Sequence, residues 1–154
     1  MIIRKNTHAP LRLPRLLIKP KLLVYRVGFT ESCRYDLGRE QGDINKLFGV
    51  GYFPSHHENS VRVGWNYDIV SGKINIFAYW YAEGIRGWHY LRSVEIGMNY
   101  YFKIYIDGDA HRLDISGRNY RVDVNSTPVC YLLRPYFGGN KTAPHDIIID
   151  LNRI

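Results

Sequence analysis

From residue 22 onward, apolar and polar positions alternate with a period of two. Val61, Val63, Trp65 and Tyr67 interleave with Arg62, Gly64, Asn66 and Asp68, which predicts a half-buried strand with the second set facing solvent. Over 73–82, Ile74, Ile76, Ala78, Trp80 and Ala82 form one face, while Phe77, Tyr79 and Tyr81 make the other face aromatic as well. Tyr100, Phe102, Ile104 and Ile106 alternate in the same way with Tyr101, Lys103, Tyr105 and Asp107. Further strands are predicted over 22–29, 46–53, 111–115, 120–124, 129–137 and 146–151, with Gly49 and Gly51 sharing one face of the second run. Ser71-Gly72 and Asp107-Gly108 are turn signals; the latter suits a type I′ hairpin, which needs positive φ at both central residues. About nine short strands without a helical period imply an all-β, antiparallel two-sheet sandwich or barrel. A parallel sheet is excluded, because its crossovers need helices. Residues 31–45, rich in Gly and acids, read as a surface loop.

The charge is uneven. The 154 residues carry 21 basic and 14 acidic side chains, a net +7. Arg4, Lys5, Arg12, Arg15, Lys19 and Lys21 account for +6 within residues 1–21, which contain no acid. Pro10, Pro14 and Pro20 break this stretch, so it is expected to be an extended basic arm (1–21) preceding a nearly neutral β domain (22–154). Leu11, Leu13 and Leu16 alternate with the bases, a pattern suited to a strap laid over a partner protein. Nucleic acid is the less favoured partner, since residues 1–20 hold no aromatic ring for base stacking. No apolar run reaches the roughly 20 residues a membrane span needs.

Candidate chemistry is sparse in the linear sequence. His56-His57, between Pro54-Ser55 and Asn59-Ser60, reads as a polar turn, as does His145 after Pro144. Neither has a third ligand nearby, and no metal or other cofactor is expected. Cys33 and Cys130 read as buried or free thiols, with a single bridge between them left open. No nucleophile elbow is present. The aromatic-rich strand 73–82 contains no acid, so a pair of carboxylates for glycoside hydrolysis finds no support there. Thirteen tyrosines are more telling. Tyr79, Tyr81, Tyr101 and Tyr105, together with Arg134, form a candidate glycan-stacking or interface face. The plain alternative is that tyrosine is simply a good strand residue.

Several stretches resemble a known family. Phe29-Thr-Glu-Ser-Cys-Arg-Tyr-Asp36, residues 46–60, and Arg134-Pro-Tyr-Phe-Gly-Gly-Asn140 followed by Ala143-Pro-His-Asp-Ile-Ile-Ile149 resemble a small β-sandwich family of Bacteroidetes and their crAss-like bacteriophages. The resemblance covers about residues 29–150. It implies a concanavalin-like jelly roll and a virion role, nearest to an auxiliary capsid (decoration) protein, with no catalytic residues carried over. The expectation is therefore a non-enzymatic structural protein, made in the host cytoplasm and placed on the capsid surface in multiple copies. It would dock on major capsid or other virion subunits through residues 1–21. A carbohydrate-binding module is the alternative, and a polysaccharide-degrading enzyme of the same broad fold comes third.

Overall fold

The computed structural model describes residues 1–10 and 15–154. Twelve strands form two antiparallel six-stranded sheets packed face to face, a jelly-roll-type β-sandwich. In chain order the strands are β1 (Ile2–Ile3), β2 (Arg15–Ile18), β3 (Leu22–Phe29), β4 (Asn45–Tyr52), β5 (Ser60–Asp68) and β6 (Lys73–Ala82). They continue with β7 (Ile85–Val94), β8 (Asn99–Asp107), β9 (Ala110–Ile115), β10 (Arg118–Asp123), β11 (Val129–Leu133) and β12 (Ile147–Arg153). One sheet has the order β1-β12-β3-β8-β9-β10; the other runs β2-β11-β4-β5-β6-β7. Only two single-turn 3-10 helices interrupt them, both inside the loop expected over 31–45. No helix among the described residues is long and apolar enough to cross a membrane.

The alternation seen in sequence places the core. Val61, Val63 and Trp65 of β5 and Ile74, Ile76 and Ala78 of β6 meet Leu23 and Val27 of β3 and Phe102 and Ile104 of β8 between the sheets. Trp65 is fully buried, at 5.3 Å from the Phe29 ring and edge-on to Tyr35 and Phe137. His111 is the one histidine in this interior. Its Nδ1 lies 3.0 Å from the Asp109 carbonyl, which can only accept, so Nε2 is left to accept the Tyr52 hydroxyl at 2.6 Å. Burial lowers its pKa, and the ring stays neutral. Cys33 and Cys130 are buried free thiols and form no bridge.

The separate arm expected over 1–21 is not found, because its described residues are used by the sandwich itself. β1 extends the first sheet through Ile2↔Ile148 and Ile3↔Ile147, and β2 extends the second through Leu17↔Cys130. Ile3 and Leu17 are buried in the core. Arg4 pairs with Asp146 at 2.7 Å, and the Lys5 amide donates to the same carboxylate. Arg15 and Leu16 lie on β2 with Leu16 exposed. Lys19 and Lys21 flank the β2–β3 turn, where the Lys19 amide donates to the Pro128 carbonyl. Leu11, Arg12 and Leu13 fall outside the described residues. A two-residue strand and a four-residue strand are too short to register as periodicity, and the prolines around them mask the signal.

The N-terminal segment also props a loop. His8 stacks on Tyr136 at 4.8 Å, and its carbonyl accepts the Phe137 amide at 2.6 Å. Tyr136 in turn bridges Lys46 of β4 through both backbone groups, at 2.8 and 2.9 Å. Gly138 follows with φ +73°, a conformation that a side chain would strain. Its amide donates to the Asn45 side-chain oxygen, while the Asn45 amide group donates to the Tyr35 hydroxyl at 2.7 Å. The 136–140 stretch is thereby fixed as a wall over the outer face of β4 and β5.

Candidate functional site

That outer face belongs to the sheet β2-β11-β4-β5-β6-β7, and strand pairing arranges its side chains in rows across the strands. One row runs Leu133 (β11), Gly49 (β4), Arg62 (β5), Tyr79 (β6), Trp88 (β7). The next runs Tyr131, Gly51, Ser60, Tyr81, Arg86. A third runs Lys46, Gly64, Phe77, Tyr90. Lys46 owes its place to a bulge. It has the parity of the core residues Phe48 and Val50, but the register shift between Lys46 and Phe48 inserts a residue and turns Lys46 outward.

Two glycines make this packing feasible. A Cβ at Gly49 would run into the Val61 carbonyl and come within 2.9 Å of the Arg62 Cγ. One at Gly51 would lie 2.9 Å from both the His56 Cβ and the Tyr131 ring. Their bare backbone lets the Arg62 stem and the β4–β5 turn settle against β4. In that turn the Ser60 hydroxyl donates to the His56 carbonyl at 2.7 Å, and the Tyr131 hydroxyl lies 3.3 Å from His56 Nδ1. The His57 ring meets Tyr81 edge-on at 5.3 Å. The polar turn expected at 56–57 is present, and both rings line the groove, His56 half-buried and His57 exposed at its rim.

The result is a pocket of about 330 Å³ lined by Lys46, His56, His57, Arg62, Tyr79, Tyr81, Arg86 and the 136–140 wall. Its electrostatics are unusual. Arg62 is only 9 % exposed, and its Nε is buried without a hydrogen-bond partner. The ion pairs of the described residues (Arg4–Asp146, Arg34–Glu31, Lys73–Glu95 and Arg121–Asp123) leave out Lys46, Arg62 and Arg86. No carboxylate lines the pocket. Burial, reinforced by Arg62, lowers the Lys46 ammonium to about 8, with Asp43 opposing the shift. Its Nζ sits 4.7 Å from the centre of the Tyr79 ring. Burial, with Tyr81 adding to it, raises the Tyr79 phenol to about 12. His56 falls to about 4 through burial and the neighbouring Arg62 and His57 charges, so it is neutral at pH 7. A buried arginine and a half-buried lysine with no carboxylate in ion-pair contact, beside groups whose pKa values are pushed in opposite directions, describe a site suited to an anion.

The expected tyrosine face divides. Tyr79 and Tyr81 are in this groove, but Tyr101 and Tyr105 lie on β8, on the outer face of the opposite sheet. Arg134 stands apart from both, in an opening at the sandwich edge shared with Arg15, Tyr25 and Arg153. Equal alternation on two strands cannot tell which sheet each strand joins. Lys46, His56, His57 and Arg86 were not among the expected site residues. The usable signal was the glycine pair on β4 beside strands rich in bases and rings. Among the described residues, no group of three or more His, Cys, Asp or Glu could hold a metal ion.

No family model matches the chain, and no curated protein does. Solved structures do. Alginate lyase vAL-1 from Chlorella virus is similar over 99 % of this chain and 81 % of its own, with TM-score 0.60 and 11 % identity. Alginate lyase AlyC3 in complex with dimannuronate matches 97 % of this chain and 67 % of its own, with TM-score 0.60 and 12 % identity. A functionally unknown protein from Saccharomyces cerevisiae matches 92 % and 72 %, with TM-score 0.57 and 8 % identity. At such identities the likeness establishes the fold. The expectation of a non-enzymatic chain does not stand against these neighbours, several of which are polysaccharide lyases built on the same sandwich.

Proposed function

We propose that the groove binds an anionic, uronate-containing polysaccharide and cleaves it by β-elimination. The observation that carries this reading is Arg62: a buried guanidinium, unpaired by any carboxylate, at the centre of an open groove lined with tyrosines. The carboxylate of a uronate residue supplies the missing charge, and its ring fits between aromatic side chains. The alginate lyases among the fold neighbours support the same substrate class.

The chemistry follows from the pKa pattern. Pairing with Arg62 draws electron density into the sugar carboxylate and acidifies the hydrogen on the adjacent ring carbon. Lys46, lowered to about 8, has a substantial neutral fraction at mildly alkaline pH and takes that proton. The electron pair forms a carbon–carbon double bond to the neighbouring ring carbon, whose bond to the glycosidic oxygen breaks. Tyr79, still protonated with its phenol at about 12, gives its proton to the departing oxygen. Proton return from Lys46 to the Tyr79 phenolate restores both groups, so no co-reactant is consumed. Hydrolysis would instead need two carboxylates about the scissile bond, and the pocket is lined by none.

The test is to incubate the protein with alginate and with polyglucuronate and follow the ultraviolet absorbance of the new double bond. The expected result is a rise that Arg62→Ala slows by about 10²–10³-fold. Saturable binding without any rise would reduce the groove to a carbohydrate-binding site; neither binding nor a rise with any polyuronate would overturn the proposal.

A further inference from the structure

We infer that Trp88 is a stacking platform for a second sugar residue, next to the one held by Arg62, and that the protein therefore prefers chains long enough to reach it. This rests on the proposed uronate site and extends it along the groove.

Arg62, Tyr79 and Trp88 are consecutive cross-strand partners on β5, β6 and β7. Strands in a sheet lie about 4.8 Å apart, so Trp88 is about 10 Å from Arg62, measured across the strands. That separation is too great for one sugar ring to touch both, and it suits a neighbouring residue of the same chain. The space between is continuous. A second hollow of about 320 Å³, lined by Phe77, Asn66, Trp88 and Asp43, shares Lys46, Tyr79, Arg86 and Gly139 with the first; the Asp43 carboxylate accepts the Gly139 amide at 3.2 Å. Arg86 thus stands at the junction of both, where the carboxylate of the second sugar would meet it.

Trp88 also has an unexplained exposure. It is 57 % exposed, on the sheet's edge strand, and it takes no part in the core. It is nevertheless held in place, since the Phe77 ring meets it edge-on at 5.9 Å and braces Tyr90 at the same distance on the other side. Phe77 itself is buried. A large ring fixed by a buried neighbour with its face left open is what sugar stacking requires: apolar area at little entropic cost.

The experiment compares wild-type protein with Trp88→Ala and Trp88→Phe on di- through hexa-uronates and on polymer. The expected result is an about three- to tenfold rise in KM for Trp88→Ala on the longer chains, with kcat unchanged and partial rescue by Trp88→Phe. On chains too short to span both hollows, the variants and wild type should coincide. An equal KM at every length would overturn the platform while leaving the lyase reading intact. Intrinsic fluorescence separates the two failures, because of the three tryptophans Trp65 is fully buried and Trp80 is packed against the core and stacked on Tyr120, whereas Trp88 is highly exposed. If no polyuronate is turned over, a saturable fluorescence change on adding a hexauronate, present in wild type and lost in Trp88→Ala, would still uphold the platform. Absence of that change would overturn it.

Discussion

The two outer faces of the sandwich use the same residue types to opposite effect. On the β8–β9–β10 side, Arg112 lies 4.0 Å from the Tyr105 ring centre and donates to Asn119 at 3.1 Å, Lys103 stands opposite Asp114, and Arg121 pairs with Asp123 at 3.0 Å. Tyr101 is half exposed there. Arg112 and Arg121 are exposed there, each with a local partner. On the other side, the 136–140 wall and the 56–57 turn cover arginine, lysine and tyrosine without supplying an acid. Tyr79 is 5 % exposed, against 52 % for Tyr101. Reactivity therefore comes from what is stacked above a strand, and residue type alone does not confer it.

Substitutions on matched positions can break that contrast. Lys46→Met and Tyr79→Phe each remove a proton-transfer partner and should lower kcat by about 10²–10⁴-fold, whereas Tyr101→Phe should leave it unchanged. Comparable losses from Tyr101→Phe would show that the two faces are not distinct. Arg62→Ala should cost about 10²–10³-fold in kcat/KM, with Arg112→Ala as the silent counterpart on the other face.

The pH profile gives a smaller and independent reading. Activity should rise with pH through about 8 as Lys46 loses its proton, roughly tenfold per unit below that value. A profile flat from 6 to 9 would remove Lys46 from the proton-transfer role. Stability should respond to the same group. Lys46 titrates near 8 in the fold and at 10.5 when free, so between these values the unfolded chain holds the extra proton and stability increases with pH. Lys46→Met should consequently raise the melting temperature, a gain of about 0.5–2 kcal/mol, even as it lowers kcat. The smallest effect belongs to the opposite face. Breaking the exposed Arg121–Asp123 pair by Arg121→Ala should change stability by less than about 1 kcal/mol in a denaturant titration.

Much of the sandwich was legible in the sequence, because a period of two marks any strand with one buried face. The interior sides of β3, β5, β6 and β8 follow directly from it, Trp65 and Ile76 included. Strand β7 was not legible: Gly87 and Arg86 interrupt its pattern, and a register shift opposite Ile76 and Phe77 breaks the alternation. The groove was harder still. Arg62 has the sequence signature of a solvent-facing residue, and what covers it are the preceding turn at 56–57 and a segment distant in sequence, at 136–140. Lys46 has the parity of the core until the bulge reverses it. Both placements were hidden for one physical reason, since alternation reports neither bulges nor the loops that fold over a face.

The N-terminal strands carry a consequence for how the protein is made. β1 is secured only by β12 and β2 only by β11, so each sheet joins residues near the beginning of the chain to residues more than a hundred positions later. During synthesis β1 and β2 leave the ribosome well before the strands they pair with. Their two edges must wait, basic and leucine-rich, until residues 129–153 have been added. The wall beside the groove depends on that closure, because His8 supports Tyr136. The pocket is accordingly completed late, and a nascent chain stalled before β11 would lack the wall of the site.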